Sequence, residues 1–543
     1  MNSKPQTHSF FFLLIILSVS CAPEATDESQ LGEIHITVSG ADEAQPYFEK
    51  GLLLLHSFEY ADAREAFKQA QAIDTNSVMA YWGEAMTHNH NLWQQQAYEK
   101  AIETLARLGS SPEERIQKAQ TELEKDFMRA VEVLYGEGKK TERDVAYRDF
   151  MAELYKKYPE SHEVASFYAL SLLGAVSVGR DDDEYGKGAR IAQGILAENP
   201  QHPGALHYLI HAYDDPYHAN LALQAANKYS KVAPDASHAL HMPSHIYVAM
   251  GMWKEVVASN EASWQSSVDR MIRKELDNDA RSYHALHWLL YGYLQQERYA
   301  ICQQLMTDMV KYVEEKASKR GRAYLISMKA AFLVETEDWE NEVADITSDR
   351  DDLNISVRAK FNFLEGMKAY YRNDTASLRQ TLVSMETERS IAALEAKEGA
   401  IAMCNVAGWA SDINQLDIDQ AEVMAMELRA LYATSKDRLK EAEDWLKAAS
   451  SLEARISYAY GPPVIAKPSH ELYGEWLLTQ NRFEDAANLF DQALERGPKR
   501  ILSLKGRSKA AVALKDQATV DAITKELENI QQAVSESSIF SER

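Results

Sequence analysis

The chain has 543 residues, 45% hydrophobic and 26% charged, with only 23 glycines and 14 prolines, so it reads as a folded protein with few, short loops. A formal net charge of −24, from 58 basic and 82 acidic residues, repels a phosphate backbone and excludes nucleic acid as a partner. Of the three cysteines, Cys302 and Cys404 lie on apolar helical segments and read as buried free thiols. A linear array would hold them too far apart for a disulfide, which needs Cα atoms within about 7 Å.

Residues 1–20 are predicted to be a signal peptide with no part in the fold. Lys4 gives a basic start, and Phe10 to Leu17 is an apolar run too short to span a bilayer. The run leads into Ser18-Val19-Ser20-Cys21, which resembles the lipobox of bacterial lipoproteins, where the cysteine becomes the acylated N-terminus. Leu17 stands four residues before Cys21 where the usual pattern has three, and Ser18-Val19-Ser20 also suits an ordinary signal peptidase. A cysteine at the cleavage point favours lipidation. The resemblance implies an acyl anchor on Cys21, which inserts by about 0.8 kcal/mol per buried methylene. Alanine rather than aspartate at position 22 implies the outer membrane, and Glu24, Asp27 and Glu28 are similar to a surface-export signal. Residues 21–40 form a lipidated polar tether in this reading, and the alternation of Ile34, Ile36 and Val38 predicts a short strand within it.

Residues 41–313 read as an array of helical hairpins. The first unit starts near Asp42 and places Gly51, Ala63, Phe67 and Ala70 so that small residues let two helices approach while Phe67 fills the gap between units. The second carries Ala80 to Trp93 (AYWGEAMTHNHNLW); long charged helices follow over 113–160, then an acidic loop over 180–184. The most regular stretch is 201–258. His207 and His211 are four apart, as are His241 and His245, and the two pairs are offset by 34 residues, as are Pro200 and Pro234. A helix is predicted from Ala205 to Ala212 and its partner from Leu221 to Lys231. Pro234 then bars continuation, and Asp235 or Ser237 caps the next helix. Pro243 demands that this helix start there or kink. A further hairpin spans Ala280 to Val313 with His284 and His287 on its first helix. Residues 314–459 stay helical with blurred repeats, including the alanine-rich Ile391 to Ala410. Residues 460–543 begin with a proline-rich crossing (Tyr460 to Pro468) and end in a clear repeat marked by Gly474, Ala486, Phe490, Ala493 and Pro498, with the last helix ending near Val534.

A 34-residue period of this kind resembles the tetratricopeptide repeat. Four blocks are similar to a bacterial lipoprotein-type group of such proteins without an assigned activity: Gly51 to Phe67, Ala80 to Met86, His207 to Tyr247 and Gly461 to Leu478. The resemblance implies an all-α fold, a right-handed superhelical solenoid of tetratricopeptide hairpins. It also implies a concave groove lined by positions 2, 5, 9, 12 and 13 of each first helix. In that register His207 and His241 occupy position 5, His211 and His245 position 9, His238 position 2 and Asp214 position 12, all facing the groove. His56 and His90 share position 13, with Trp82 and Trp93 near the second.

Histidines four apart lie on one helix face, and adjacent helices are about 8–10 Å apart, so His207, His211, His241 and His245 form a compact patch. Imidazole suits zinc or copper, with Asp214 or Asp215 as an added ligand or an outer acceptor. The alternative is a packing network in which the histidines bond to one another and to Tyr208, Tyr213 or Tyr247. Trp82 and His90 read as core packing or as an aromatic wall for a peptide or sugar ring. No HExxH, glycine-rich phosphate loop or GxSxG occurs, so no catalytic residue is assigned and the chain is read as a non-enzyme. The leading expectation is an envelope-anchored scaffold that binds a protein or glycan in its groove. A metal-binding protein centred on the four histidines and an accessory lipoprotein of nutrient or polysaccharide uptake are the alternatives.

Overall fold

The computed structural model describes residues 30–396, 413–458 and 461–532. The predicted signal peptide, Cys21, Glu24, Asp27, Glu28, Cys404 and Val534 lie outside the described residues. The described chain is a succession of antiparallel helical hairpins, from Gln45–His56 with Tyr60–Ile73 to Ile501–Leu514 with Gln517–Gln532. Its one sheet, among the described residues, is a two-residue pairing of Asn89–His90 with Gln95–Gln96. The fold is the right-handed superhelical solenoid of tetratricopeptide-type hairpins.

The hairpin turns share one local solution. Phe58, Glu297, Asn373, Asp437 and Asn481 each take a left-handed conformation just after a first helix. The residue that follows donates its N–H back to the carbonyl five residues earlier, as from Glu59 to Leu54, Arg298 to Tyr293 and Arg482 to Leu477. This satisfies end-of-helix carbonyls and reverses the chain in three residues. Between hairpins, one aromatic ring fills a cleft that only glycine leaves open. A Cβ on Gly51 or Gly83 would lie 2.8 or 2.3 Å from Phe67, and one on Gly474 or Gly506 would lie 3.0 or 2.2 Å from Phe490. The same device thus operates in the first and last repeats, as the sequence positions imply.

The superhelix is wound tightly enough to close on itself. Helix Gln45–His56 packs on Val78–Met86 and also on Pro203–Ala212, four hairpins further along the chain. Trp82 meets Phe127 and Phe167, and His56 meets Phe167 and Tyr208, so rings from five first helices fill what an open array would leave as groove. The next turn stacks on the first through Asp62, which accepts from both Arg270 and Lys274. The C-terminal repeat folds back onto helix Tyr283–Gln295: Arg500 donates to Tyr291, the Ile501 N–H donates to Gln295, and the Trp253 indole donates to the Lys499 carbonyl. The array is therefore not linear. Cys302 is a buried free thiol, as expected.

Several local expectations are corrected. Ile34, Ile36 and Val38 do not form a strand. Their segment is extended and alternately half-buried, but it crosses the repeat turns with no strand beside it: the Glu33 N–H donates to the Gln201 carbonyl, and the Gln30 N–H to Asp235. Asp235 is thereby used, and Ser237 donates to the Ser263 carbonyl, so neither caps the helix Ser237–His241. Residues 180–184 are not a loop throughout. Asp181 caps helix Asp182–Glu198, whose acidic first turn suits the positive end of its dipole. The helix predicted through His90 stops at Met86. At Pro243 the helix is interrupted: Ser237–His241 ends, and Pro243 opens Pro243–Ala249 at the one helical position where its missing N–H costs nothing.

The ring-in-glycine packing makes a paired prediction. Gly83→Ala forces a methyl into Phe67 and should destabilise the protein by about 1–3 kcal/mol. Gly194→Ala, on a helix where a Cβ meets nothing within 4 Å, should stabilise it by up to about 1 kcal/mol. Denaturant melts of the two variants check both signs.

Candidate functional site

The break at Pro243 shapes the inner wall of the second turn. With no N–H on Pro243, the His241 carbonyl accepts from the Ser244 hydroxyl (2.7 Å), and the His245 N–H bonds to Met242 across a tightened turn. His241 and His245 come to face His207 and His211 on helix Pro203–Ala212, with His238 and His284 flanking them. His207, His211, His241 and His245 are all buried, because the closed turn covers the face that an open groove would expose.

Each of the four rings is oriented through Nδ1. His207 Nδ1 lies 2.7 Å from the His56 carbonyl, which only accepts. His211 and His245 Nδ1 lie 3.2 and 3.1 Å from the same oxygen, Oδ2 of Asp214. His241 Nδ1 lies 2.7 Å from Oδ1 of Asn260, whose amide is fixed because its NH₂ donates to the Val256 carbonyl. All four Nδ1 atoms therefore carry the proton, which leaves every Nε2 as a bare lone pair. Nε2 of His207, of His211 and of His238 is buried with no hydrogen-bond partner. His241 and His245 point Nε2 at Nε2 across 3.2 Å, with no proton available for the gap.

The electrostatics favour the neutral ligand form. Burial, reinforced by neighbouring imidazoles, holds His207, His238, His241 and His284 well below the ordinary histidine range. His245 is also lowered by burial, against the pull of Asp214. Burial opposes the charge on Asp214, yet hydrogen bonds from His211 and His245 hold its carboxyl below the usual range. Asp214 is thus an anionic acceptor behind two rings.

His211, His238, His241, His245 and His284 open onto one cavity of about 530 Å³, whose other walls include Tyr60, His90, Trp93 and Tyr324, with Arg281 and Arg320 on its rim. His90 stacks on Tyr60 with centroids 4.0 Å apart. That volume suits a small molecule rather than a polypeptide.

Some predicted groove residues lie elsewhere. Trp82 is in the core against Phe127 and Phe167 and does not reach the cavity. His207 and Asp214 are behind the cavity wall. Asp215 bonds His218 and Arg180 rather than the patch. Tyr208 bonds His56, and Tyr247 bonds Asn227, so the tyrosine network expected around the patch is replaced by His56, Asp214 and Asn260. His56 belongs to a second cluster in which every ring nitrogen is used. His56 Nε2 and His202 Nε2 meet Glu163 at 2.7 and 3.2 Å, His56 Nδ1 meets Tyr208, and His202 Nδ1 accepts from the Ala205 N–H. This cluster ties three inner helices together and leaves no nitrogen for a ligand.

Sequence reading missed Asn260, Tyr324 and the place of His284. His284 lies 43 residues beyond His241 instead of 34, because the intervening helix Trp253–Arg273 runs for 21 residues. The HxxH spacing of His284 and His287 was the only available hint, and it misleads, since His287 is not among the residues that line the cavity.

No protein-family model and no curated protein matches the chain. Solved structures similar to it include human IFIT1, as a dimer with m7Gppp-AAAA (13% identity, 92% of this chain and 96% of that chain, TM-score 0.36). The APC/C hetero-tetramer Cut9-Hcn1 is 10% identical over 93% of this chain and 79% of that chain, with a TM-score of 0.33. Yeast Tom70 is 12% identical over 90% of this chain and 99% of that chain, with a TM-score of 0.32. Fold and site define a helical-repeat solenoid with a histidine-lined interior cavity.

The Glu163 cluster and the inner-wall patch should separate by mutation. Glu163→Gln removes charged acceptors from two buried rings and should cost about 1–3 kcal/mol. It should leave metal content unchanged, as read by denaturant melts and elemental analysis.

Proposed function

We propose that the chain is a binding protein of the cell envelope that holds a first-row transition metal, zinc or copper by donor type, at its inner-wall histidines. The observation that carries this reading is the set of bare Nε2 lone pairs. Those of His207 and His211 are buried without partners, those of His241 and His245 face each other at 3.2 Å, and the buried Nε2 of His238 is also unpartnered. Nitrogens on one tetrahedral zinc, at about 2.0–2.1 Å each, stand about 3.3 Å apart, so an ion turns a repulsive arrangement into a bound one. Outer acceptors on Nδ1 are the usual support for such ligands. Imidazole donors disfavour calcium and magnesium, which take oxygen. Bound metal leaves the cavity available to a small partner, such as a sugar ring against Trp93 and Tyr60. Binding, not turnover, is the activity assigned. The lipobox-like sequence at Cys21 supports a lipid anchor in the outer membrane.

Purified mature protein should contain metal, and a chelator should lower its melting temperature at pH 7.5. An ion present at a thousandfold over its Kd adds about 4 kcal/mol to the folded state. His211→Asn and His245→Asn should each diminish the chelator effect. Both rings are buried, so the variants should also melt somewhat lower without metal; the reduced chelator response is the deciding readout. Metal-free protein with a chelator-indifferent melt would leave the patch as packing. Cys21→Ala should release the protein from membranes or leave it unprocessed, and a mature-length variant that still sediments with membranes would rule out the anchor.

A further inference from the structure

We infer that the inner wall holds two metal ions, each in its own set of three histidines, with Asp214 tying the two sets together. The inference rests on the metal reading above and extends it from a four-histidine patch to six ligands.

The donor atoms divide into two groups. His207, His211 and His238 bring one ring nitrogen each within 4.8 Å of one another, and so do His241, His245 and His284. Within a set, small ring rotations bring the nitrogens to the spacing of about 3.3 Å that one tetrahedral ion requires. The first set draws on helix Pro203–Ala212 and on the start of Ser237–His241. The second draws on both sides of the Pro243 break and on helix Tyr283–Gln295. No single ion accepts six imidazoles in the four-coordinate geometry usual for zinc.

Each set has its own outer support. His207 is held by the His56 carbonyl, His241 by Asn260, and His284 by the Tyr324 hydroxyl, 3.2 Å from its Nδ1. The shared element is Asp214: one oxygen, Oδ2, accepts from His211 in the first set and from His245 in the second. The centroids of those two rings are only 5.4 Å apart. A single carboxylate therefore orients one ligand in each set and places one negative charge between two cations.

The sets are open. Both contribute histidines to the wall of the 530 Å³ cavity, His211 and His238 from one and His241, His245 and His284 from the other. Three protein ligands with the fourth position facing a cavity distinguish an exchangeable site from a closed structural one. A small oxygen or nitrogen donor in the cavity is thus within reach of both ions. The cluster of Glu163, His56 and His202 meets the same distance criterion but has all its nitrogens engaged, so it is not a third site.

The test is stoichiometry on the full mature chain, stripped of metal and titrated separately with Zn²⁺ and Co²⁺. Two equivalents per chain are expected, with a cobalt visible spectrum of tetrahedral intensity. His238→Ala and His284→Ala, both at the cavity wall, should each reduce binding from two equivalents to one. Asp214→Asn should weaken both sites by about 10–100-fold. Circular dichroism confirms folding of each variant. Should one variant fail to fold, the other and the wild-type count still decide the matter. One equivalent in the wild type, lost in both histidine variants, overturns the pair while leaving a single metal site. No binding at all overturns the metal reading itself.

Discussion

The closure of the first superhelical turn governs the rest of the molecule. Helix Gln45–His56 reaches helix Pro203–Ala212, and the contact is specific: the His56 carbonyl takes the His207 proton, the Tyr208 hydroxyl meets the His56 ring, and Phe58 lies against His207 at 4.3 Å between centroids. An open solenoid presents its inner face to water. Here that face becomes a second core, filled by Trp82, Phe127 and Phe167, and the histidines next to it lose their solvent. Desolvation then keeps the imidazoles neutral, and neutrality makes their nitrogens donors of electron pairs rather than charges.

A large excess of negative charge over the chain leaves few carboxylates at the cavity: Glu59 and Asp279 stand in its wall and Asp214 behind it. The two imidazole donors of Asp214 are what make its burial tolerable. Another deeply buried carboxylate of the first turn, Glu163, is handled the same way by His56 and His202. The chain thus uses one motif, a buried carboxylate between two imidazoles, for two ends. At Glu163 the far nitrogens are consumed by Tyr208 and Ala205. At Asp214 they are left pointing at other histidines.

The repeat architecture was legible in the sequence because it is a local property. Gly51, Phe67, Gly474 and Phe490 announce their packing through spacing alone, and the 34-residue offset of the histidine pairs places them correctly on neighbouring helices. Closure was not legible, since nothing local to His56 says that it will meet Tyr208, 152 positions away. Exposure was therefore misjudged for Trp82, His207 and Asp214. His284 escaped because the 21-residue helix before it breaks the period. Pro243 was visible as a conflict between composition and helix; the chain resolves it by stopping one helix and starting another.

The extended segment at the N-terminal side, laid across the turns at Gln201 and Asp235, has a consequence for how the molecule comes apart. Repeat arrays unravel from their ends, because a terminal unit has one neighbour and each interface can be lost in sequence. In this chain the first hairpin has neighbours on both sides, and Gln30 to Glu33 bind the fourth and fifth hairpins to the start of the first. The end has been removed from the array. The first five hairpins close into a ring, which favours melting as one cooperative block over fraying.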